Sequence, residues 1–521
     1  MFEEKISGFK IGVKKKLTGQ LSKSFGDVLY EQIVTFPEIL NYGQITNDKK
    51  LNSQIWNSYR EEERNLENYT IDGQGAIDIN LNLPLTIKPM EVLEFEAKAI
   101  AAQSLKLSGK IIYDFTEEVI KPFQFILGNS LFVFKTHWDF KASNSENFQF
   151  FTSIHKSYDG TEHRVQMVNN PRLNLNVNYT LFEDERRELE GYVYERLGDE
   201  MGIPLFSEMT MLKEEVNLGD KEILCSTKYS IFQEGKLAFL VNGNKNTIVE
   251  IESISQDKLI LQNEVLEYFE KGTYIMPILK GYITDGINID RITNDISRMS
   301  FMFRTKDNDN LNLNIFNNVN LPVHKSIPVM NIMPERAGHR NVFENEYEIV
   351  EYAYGPRYVK KKWQKAENSF VYSFINMNKE QQYNIKALIN FSKGRLQEFW
   401  LPTWVRDIKL KSIIAPNETQ IKMYYNNLAN SYQTSNYNIR IMLKNGTEFY
   451  RKVLAFQNSP NENEEIITIE SPLNTSITPE DIEIIDFIEK VRFDTDVFNL
   501  NIFSNEVSQI NLTMRSSVWV F

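Results

Sequence analysis

The residues of this 521-residue chain that could perform chemistry do not fall into a metal-binding pattern. The five histidines are His137, His155, His163, His324 and His339. None belongs to an HExxH motif, and none forms a close pair with a cysteine. His155 and His163 flank a predicted turn and could face each other on paired strands, but no cysteine or further convincing ligand lies nearby. The sequence therefore predicts no metal site and no cofactor.

A covalent nucleophile is not indicated either. The chain has no GxSxG motif, and its single Cys225 is isolated in an apparent strand. Carboxylate pairs suited to glycoside cleavage stay possible among 70 Asp and Glu residues, because their separation depends on the fold. The acidic run Glu183-Asp184-Glu185 is explained by the positive end of a helix dipole. We predict that the chain is not an enzyme, with a cell-wall hydrolase as a weaker hypothesis.

Two tryptophans suggest a different kind of site. Trp400 and Trp404 flank Pro402 in an aromatic segment, and exposed aromatic faces in a groove would suit a sugar ligand. A carbohydrate-binding host-receptor protein is therefore the alternative function.

Composition limits the other classes of function. A net charge of −12 argues against general affinity for nucleic acid. The basic runs 14–16 and 360–362 are typical of solvated strand edges, and docking on an acidic partner is the alternative. One cysteine allows no intrachain disulfide framework. No apolar run reaches the length of a membrane helix, and residues 1–5 do not resemble a signal peptide, so we expect synthesis in the cytoplasm.

Strict alternation of apolar and polar residues predicts that the chain is mainly β. Three segments show it best, and asparagine is the usual polar spacer: residues 77–87, 173–181 and 311–315. A period of two indicates one buried and one solvated face, as in antiparallel sheets.

Two helices are predicted, each directly after a strand. The first begins near Glu183 and carries an apolar stripe that includes Leu189 and Tyr192. The second has Asn378 in the N-cap position, and its stripe ends before Gly394. We expect each helix to lie across the sheet of its own hairpin.

Segments of the chain recur in order at growing offsets. Residues 296–305 match 507–516, the Asn242-Gly243 hairpin matches Asn445-Gly446, and the segment at Tyr158 matches that at Tyr354. The offsets are 211, 203 and 196 positions, as expected for two collinear copies with small insertions. A period this long exceeds that of solenoid repeats, so we interpret it as duplication of a whole module.

The predicted fold class is mainly β (α+β), with an internally duplicated module. Each copy contains a β-hairpin and sheet with a packed helix, followed by a small β-barrel-like unit and a closing strand. The predicted segments are an N-terminal β domain at 1–130, copy one at 131–215 and 216–305, an extended linker at 306–334, and copy two at 335–405 and 406–521.

Copy one resembles the distal tail and tail-hub proteins at the tip of long-tailed bacteriophages and phage-like gene transfer particles. The resemblance lies in the hairpin Ser157-Tyr158-Asp159-Gly160-Thr161-Glu162 with Arg164, the Pro171-Arg172 step, and the following strand, helix and aromatic exit. Copy two keeps only Tyr354, a turn glycine and Arg357, and the first 130 residues show no resemblance.

The resemblance implies a tube-like fold that stacks as rings around a central channel. The chain would be a structural virion protein of the tail tip that joins the tail tube to baseplate or receptor-binding components. Its partners would be further copies of itself, the tail tube protein, and other tail-tip, tape-measure or fibre proteins. The candidate assembly-interface residues are Tyr158, Arg164, Tyr354, Arg357, Lys360, Arg304 and Arg515.

Duplication leaves two ring plans open. Three chains with two modules each would give a pseudo-sixfold ring, which is the plan we favour. Six chains would give a hexameric ring of twelve modules, six inner and six outer. In both plans the paired assembly would cover strand edges that are otherwise open.

Overall fold

The computed structural model describes residues 30–517 except 46–48, 75–76, 101–105, 117–120, 159–160, 244, 307–320, 336–338, 363–365, 432–436 and 462. The chain separates into two compact units, Met1–Phe132 and Val133–Phe521. The predicted strand at 311–315 and the basic run at 14–16 lie outside the described residues.

The first unit contains two sheets, with strand orders β1-β3-β7-β5 and β2-β9-β8-β4-β6. Its strands are β1 Ile33–Phe36, β2 Ile39–Ile45, β3 Lys49–Asn57, β4 Arg64–Gln74, β5 Ile77–Ile79, β6 Leu85–Ile87, β7 Val92–Ala99, β8 Lys106–Phe115 and β9 Phe123–Ser130.

One apolar core lies between these two sheets, and buried polar contacts cross it. Tyr42 of β2 donates to the carbonyl of Ala97 on β7 at 2.8 Å. Gln124 of β9 accepts from Ser53 at 2.9 Å and from Tyr113 at 2.6 Å. These contacts satisfy groups that would be costly to bury alone.

The single strand expected from the alternation at 77–87 is instead two short strands. β5 pairs with β7 in the first sheet, and β6 pairs with β4 in the second. The intervening residues include Pro84, which has no backbone N–H to donate to a ladder. The alternation correctly identifies the buried side chains but not the change of sheet.

Strand β10 Phe132–Val133 contains the last residue of the first unit and the first residue of the second. Residues 144–305 of the second unit are called module 1. The strands of module 1 are β11 Asn144–Gln149, β12 Thr152–Lys156, β13 Glu162–Gln166, β14 Arg172–Leu181, β15 Met201–Pro204, β16 Thr210–Met211, β17 Glu222–Leu224, β18 Leu237–Asn242, β19 Lys245–Ser255, β20 Lys258–Leu261, β21 Tyr274–Ile283, β22 Asn288–Arg291 and β23 Ser297–Thr305. Its helix α1 is Glu183–Arg196, and a 3₁₀ turn spans Phe206–Glu208.

Residues 340–516 form module 2. Its strands are β26 Arg340–Glu344, β27 Tyr347–Val350, β28 Tyr358–Lys361, β29 Glu367–Met377, β30 Phe399–Pro402, β31 Gln420–Tyr424, β32 Asn438–Leu443, β33 Glu448–Asn458, β34 Glu464–Ile469, β35 Ile482–Phe493, β36 Val497–Ile502 and β37 Ser508–Ser516. Its helices are α2 Lys379–Ser392 and the short α3 Leu428–Ser431, with a 3₁₀ turn at Pro479–Asp481.

The same strand pairings occur in both modules. In module 1 the strands β11, β14, β23 and β22 lie side by side and antiparallel. In module 2 the strands β26, β29, β37 and β36 follow the same order. Each module also contains a paired hairpin directly after its first strand, β12–β13 and β27–β28.

Each module carries a small closed β unit beyond its helix. The ladder β21-β18-β19-β20-β17 of module 1 closes through a bridge between Leu212 and Cys225. The ladder β35-β32-β33-β34-β31 of module 2 closes through Leu410 and Met423. Each closed ladder of strands surrounds its own apolar core.

The segment predicted as an extended linker is partly folded. Its described residues form the hairpin β24 Val323–His324 and β25 Ile327–Pro328. The two turn residues have positive φ angles of 51° and 62°, which reverse the chain. The following residue, Val329, is buried and bridges Trp400 in parallel. The spaced prolines therefore do not keep this segment extended.

The chain is thus mainly β, with 37 strands and three α-helices among its described residues. No helix in this part of the chain has the length and apolar character needed to cross a membrane.

Helix α2 supplies a test of local folding, because Asn378 caps it as predicted. Its side chain accepts from the backbone N–H of Gln381 at 2.8 Å, and Gln381 accepts from the N–H of Asn378 at 3.1 Å. We expect Asn378→Ala to reduce the stability of the second unit by about 1 kcal/mol, measured as a lower urea midpoint. Asn378→Asp keeps the acceptor and should match the parent, and an unchanged midpoint for the alanine variant would contradict the cap.

Candidate assembly interface

Modules 1 and 2 are joined edge to edge by strands β11 and β36. The two strands pair antiparallel over six residues, with Glu146 opposite Leu500 and Phe148 opposite Phe498. This pairing makes one continuous eight-stranded sheet in the order β26-β29-β37-β36-β11-β14-β23-β22. The junction is an edge-to-edge strand interface between two modules of one chain.

A buried aspartate fixes the start of the junction. Asp496 of module 2 accepts from the backbone N–H of Thr152 at 2.8 Å and from its hydroxyl at 3.1 Å. It also accepts from the backbone N–H of Arg395 at 2.9 Å. Gly394 has a φ of 70°, and a Cβ there would collide with Asp496 and Phe150. Glycine is required here both for backbone conformation and for this close approach.

A buried ion cluster holds α2 of module 2 against module 1. The ammonium of Lys386 lies 2.7 Å from a carboxylate oxygen of Glu146 and 2.7 Å from one of Glu208. Ser207 donates to Glu146 at 2.6 Å. Burial by itself would lower the pKa of Lys386, but attraction to the two carboxylates outweighs it and raises that pKa above its ordinary value. Lys386 is therefore charged at neutral pH.

Other residues of α2 also bind module 1. Lys379 donates to the carbonyl of Met209 at 2.9 Å, and burial lowers its pKa. Tyr229 donates to Glu380 at 2.7 Å, and its ring lies 5.8 Å from that of Tyr383. Helix α2 contacts β29 of its own module, as expected, and the expectation omitted its second partner, the neighbouring module.

The hairpins of the two modules also meet. Tyr158, at the end of β12–β13, donates to Glu348 of β27 at 3.4 Å, and the ammonium of Lys362 lies 5.5 Å from its ring centre. Arg164 pairs with Glu162 and donates to the carbonyl of Arg395 in module 2. Burial lowers the pKa of the Arg164 guanidinium. Two predicted residues, Tyr158 and Arg164, therefore lie where the modules contact each other.

Three other predicted residues lie on the exposed β27–β28 hairpin. Tyr354 is fully exposed in its turn, and Arg357 forms an exposed ion pair with Glu351 at 2.9 Å. Lys360 lies on β28, opposite Glu348. All eight strand residues of this hairpin are exposed.

The last two predicted residues, Arg304 and Arg515, occupy the eighth position of β23 and β37. Each binds an aspartate of the turn before the preceding strand: Arg304 binds Asp285 at 2.9 Å, and Arg515 binds Asp494 at 3.2 Å. Arg515 also binds Glu367 at 3.1 Å. The two arginines have related but not identical surroundings.

Strand β26 of module 2 corresponds to β11 of module 1, and β22 of module 1 corresponds to β36 of module 2. Each has one open edge in the described part of the chain. Within the described residues, β26 pairs only with β29, and β22 pairs only with β23. Phe343 of β26 is 70% exposed, whereas Phe148 at the matching place in β11 is 3% exposed. The matching helices differ likewise, since α2 buries nine of its residues, whereas α1 leaves Tyr194 90% exposed.

The sequence did not predict Glu146, Glu208, Lys386 or Asp496 as contact residues. Lys386 offers a signal, because it interrupts the apolar run Ile385-Lys386-Ala387-Leu388-Ile389 on a predicted buried stripe. A lysine at such a position requires a carboxylate partner. Nothing in the local sequence identifies Glu146 as that partner.

The candidate histidines His155 and His163 lie on the β12–β13 hairpin, and the candidate tryptophans lie on β30 and shortly after it. His155 and His163 face each other across β12–β13, but the described part of the chain has no group of three or more potential ligands that could hold a metal ion. Trp400 is 4% exposed and donates to the carbonyl of His324 at 3.0 Å. The guanidinium of Arg440 lies 3.9 Å from the ring centre of Trp404 and covers one of its faces.

The ion cluster predicts a stability effect. Lys386→Met should cost about 3–5 kcal/mol, because it leaves two carboxylates buried without a cation. The triple variant Lys386→Met/Glu146→Gln/Glu208→Gln should recover much of that loss. Urea unfolding measures both, and Lys422→Met, which alters an exposed lysine of β31, is the control. Equal destabilisation of the single and triple variants would contradict this account.

Comparison with known proteins identifies no family. No family model matches the chain, and no curated protein does. Among solved structures, the chain is similar to the secreted serine protease VesC from Vibrio cholerae, with 10% identity and a TM-score of 0.16, over 51% of this chain and 49% of that one. It is also similar to tripeptidyl peptidase 2, with 10% identity and a TM-score of 0.17, over 92% of this chain and 36% of that one.

The prediction that the chain is not an enzyme is withdrawn, and both matched structures are peptidases. That prediction rested on missing sequence motifs, whereas catalytic groups meet through the fold and in no fixed chain order. At these TM-scores the likeness carries no argument for a peptidase site either. The chain spans about half of one matched structure and about a third of the other.

Proposed function

We propose that this chain is a structural protein of a phage tail tip, of the distal tail or hub type. Copies of the chain form a ring that joins the tail tube to baseplate or receptor-binding components and lines a central channel. Its location would be the tail tip of the virion, after synthesis in the host cytoplasm. The resemblance of the Tyr158 hairpin segment to such proteins supports this proposal.

The observation that carries the proposal is the junction between the modules. Two modules with the same strand pairings meet through different edge strands, β11 of module 1 and β36 of module 2. The corresponding edges, β26 and β22, lie at opposite ends of the eight-stranded sheet. Such head-to-tail contacts generate a ring when the rotation closes. A chain with one internal junction and two open edges is suited to that arrangement.

The junction favours the three-chain plan over the six-chain plan. The modules lie side by side in one sheet, as six similar units around a channel would. A ring of inner and outer modules gives no reason for this lateral pairing. We therefore propose a trimer with pseudo-sixfold symmetry, and duplication of one ancestral module as its origin. The matching pairings of the two modules support that origin.

The β27–β28 hairpin supports a second contact, with the tail tube or a neighbouring layer. Its exposed residues include Tyr354, Arg357 and Lys360, and exposed aromatic and arginine side chains are common at protein interfaces. Its paired counterpart β12–β13 is instead in contact with module 2 through Arg164. We propose that the module 2 hairpin projects toward an acidic partner surface.

Carbohydrate binding has less support than ring assembly. The hypothesis rested on Trp400 and Trp404, and stacking on a sugar needs an open aromatic face. Trp400 is buried, and one face of Trp404 lies against Arg440. Neither residue therefore supports a receptor-binding groove in this chain.

Electron microscopy of the purified chain, and of particles that contain it, tests the proposed function. We expect a closed ring of three chains with a central channel and six similar lobes, at one layer of the tail tip. Mass measurement in solution should give a trimer at high protein concentration. A monomer without a channel in both samples would overturn the proposal, and a twelve-lobed ring would replace the trimer with the hexamer.

A further inference from the structure

We propose that β26 of one copy pairs antiparallel with β22 of a second copy, in the register that places Arg340 opposite Asp290. This inference rests on the proposed ring and names its contact surface. Neither strand contains proline, and neither has a second strand partner within the described residues. Open ladders of this kind are ready to pair with another chain.

The position of β26 follows from that of β11. Glu146 lies opposite Leu175 of β14, which lies opposite Phe303, the seventh residue of β23. Asn341 lies opposite Phe370 of β29, which lies opposite Met514, the seventh residue of β37. Asn341 therefore corresponds to Glu146.

The position of β22 follows from that of β36. Arg291 lies opposite the first residue of β23, and Ile502 lies opposite the first residue of β37. Ile289 therefore corresponds to Leu500. Since Glu146 faces Leu500 in the internal junction, Asn341 should face Ile289 of the next copy.

This register brings complementary side chains together. Counting along the antiparallel pair places Arg340 opposite Asp290, Val342 opposite Asn288, and Phe343 opposite Ile287. Opposite charges directly across a pair are stabilising, and the exposed Phe343 would gain an apolar neighbour as Phe148 has in Phe498.

The remaining pair is also compatible with the register. His339 would face Arg291. Burial lowers the pKa of His339, so its imidazole is neutral at pH 7 and does not repel the guanidinium.

A second ion pair supports the same junction independently. Lys386 and Glu190 are each the eighth residue of their helix, α2 and α1. Glu208 and Arg406 are each the fourth residue after their strand, β15 and β30. The buried contact of Lys386 with Glu208 would recur between copies as Glu190 with Arg406, with the two charges exchanged.

Both members of this second pair are accessible for it. The side chain of Arg406 is 74% exposed and makes an ion pair with Glu483 at 3.4 Å. Glu190 lies 3.5 Å from Arg291 of β22, on the edge that would dock. One copy would thus offer Asp290 and Glu190, and its neighbour would offer Arg340 and Arg406.

The partner must be another copy of this chain, because the two edges are the ends of one sheet. Six strands separate β26 from β22 in the eight-stranded sheet, so the two open edges of one chain face in opposite directions. The matched charges and the register are provided by this chain itself.

Cysteine cross-linking tests the register. Val342→Cys and Asn288→Cys are made in separate full-length chains, mixed, and oxidised. Opposite Cα atoms in an antiparallel pair lie about 4.5–5.5 Å apart, within disulfide range. The mixture should give a covalent dimer, and neither variant alone should. Cys225 should not form a cross-link, since it is buried and burial raises the pKa of its thiol to about 12.

The matched control shifts the register by one residue. Val342→Cys mixed with Ile289→Cys places the two thiols on opposite faces and should give little dimer. Stronger cross-linking of the shifted pair, or no cross-linking of either pair, would overturn the proposed pairing.

Charge reversal tests the chemistry of the contact. Arg340→Glu and Asp290→Arg should each weaken assembly about tenfold or more, because each sets like charges against each other. The double variant should return most of the parent affinity, measured by analytical ultracentrifugation. Lys422→Glu, on the exposed side of β31, should leave assembly unchanged. A double variant as weak as the sum of both singles would contradict the pair.

The outcomes separate this inference from the proposed function. A ring seen by microscopy without the Val342–Asn288 cross-link would reject the pairing and leave the ring proposal in place. Cross-linked open filaments would keep the pairing and reject the closed ring. The absence of both assembly and cross-link would reject both proposals.

Discussion

The structure of the second unit depends on the pairing of β11 with β36. A strand edge carries backbone groups that need hydrogen-bond partners, and this ladder supplies them where the modules meet. The ladder alone could slip by one residue, which would turn every side chain to the opposite face. Asp496 and Lys386 prevent that, because each binds module 1 groups at one place in the register.

The two modules share their pairings but differ in what they expose. Helix α2 is buried on most sides because module 1 covers it, whereas α1 has the same length and position and stays open. The same contrast separates Phe148 from Phe343. In both comparisons the buried member lies at the junction between the modules and the exposed member lies away from it.

The sequence predicted local features well and distant contacts poorly. Alternation identified β14, the Asn-Gly positions identified the hairpins β18–β19 and β32–β33, and Asn378 identified the start of α2. These features depend on neighbouring residues. The contact of Lys386 with Glu208 joins residues 178 positions apart, and alternation carries no information about which strands or helices will meet. The division of 77–87 between two sheets was missed for the same reason.

The exchanged charges would also determine the order of modules around the proposed ring. A junction of module 2 with another module 2 would set Lys386 against Arg406, and a junction of module 1 with module 1 would set Glu190 against Glu208. Both of these junctions would place like charges together at the position that the ion pair of Lys386 with Glu208 occupies in the internal junction. The cost would be several kcal/mol. Only alternation of the two modules pairs opposite charges at every junction. Divergence of the duplicated copies at these four positions would therefore exclude wrong assemblies while the backbone pairings stay the same.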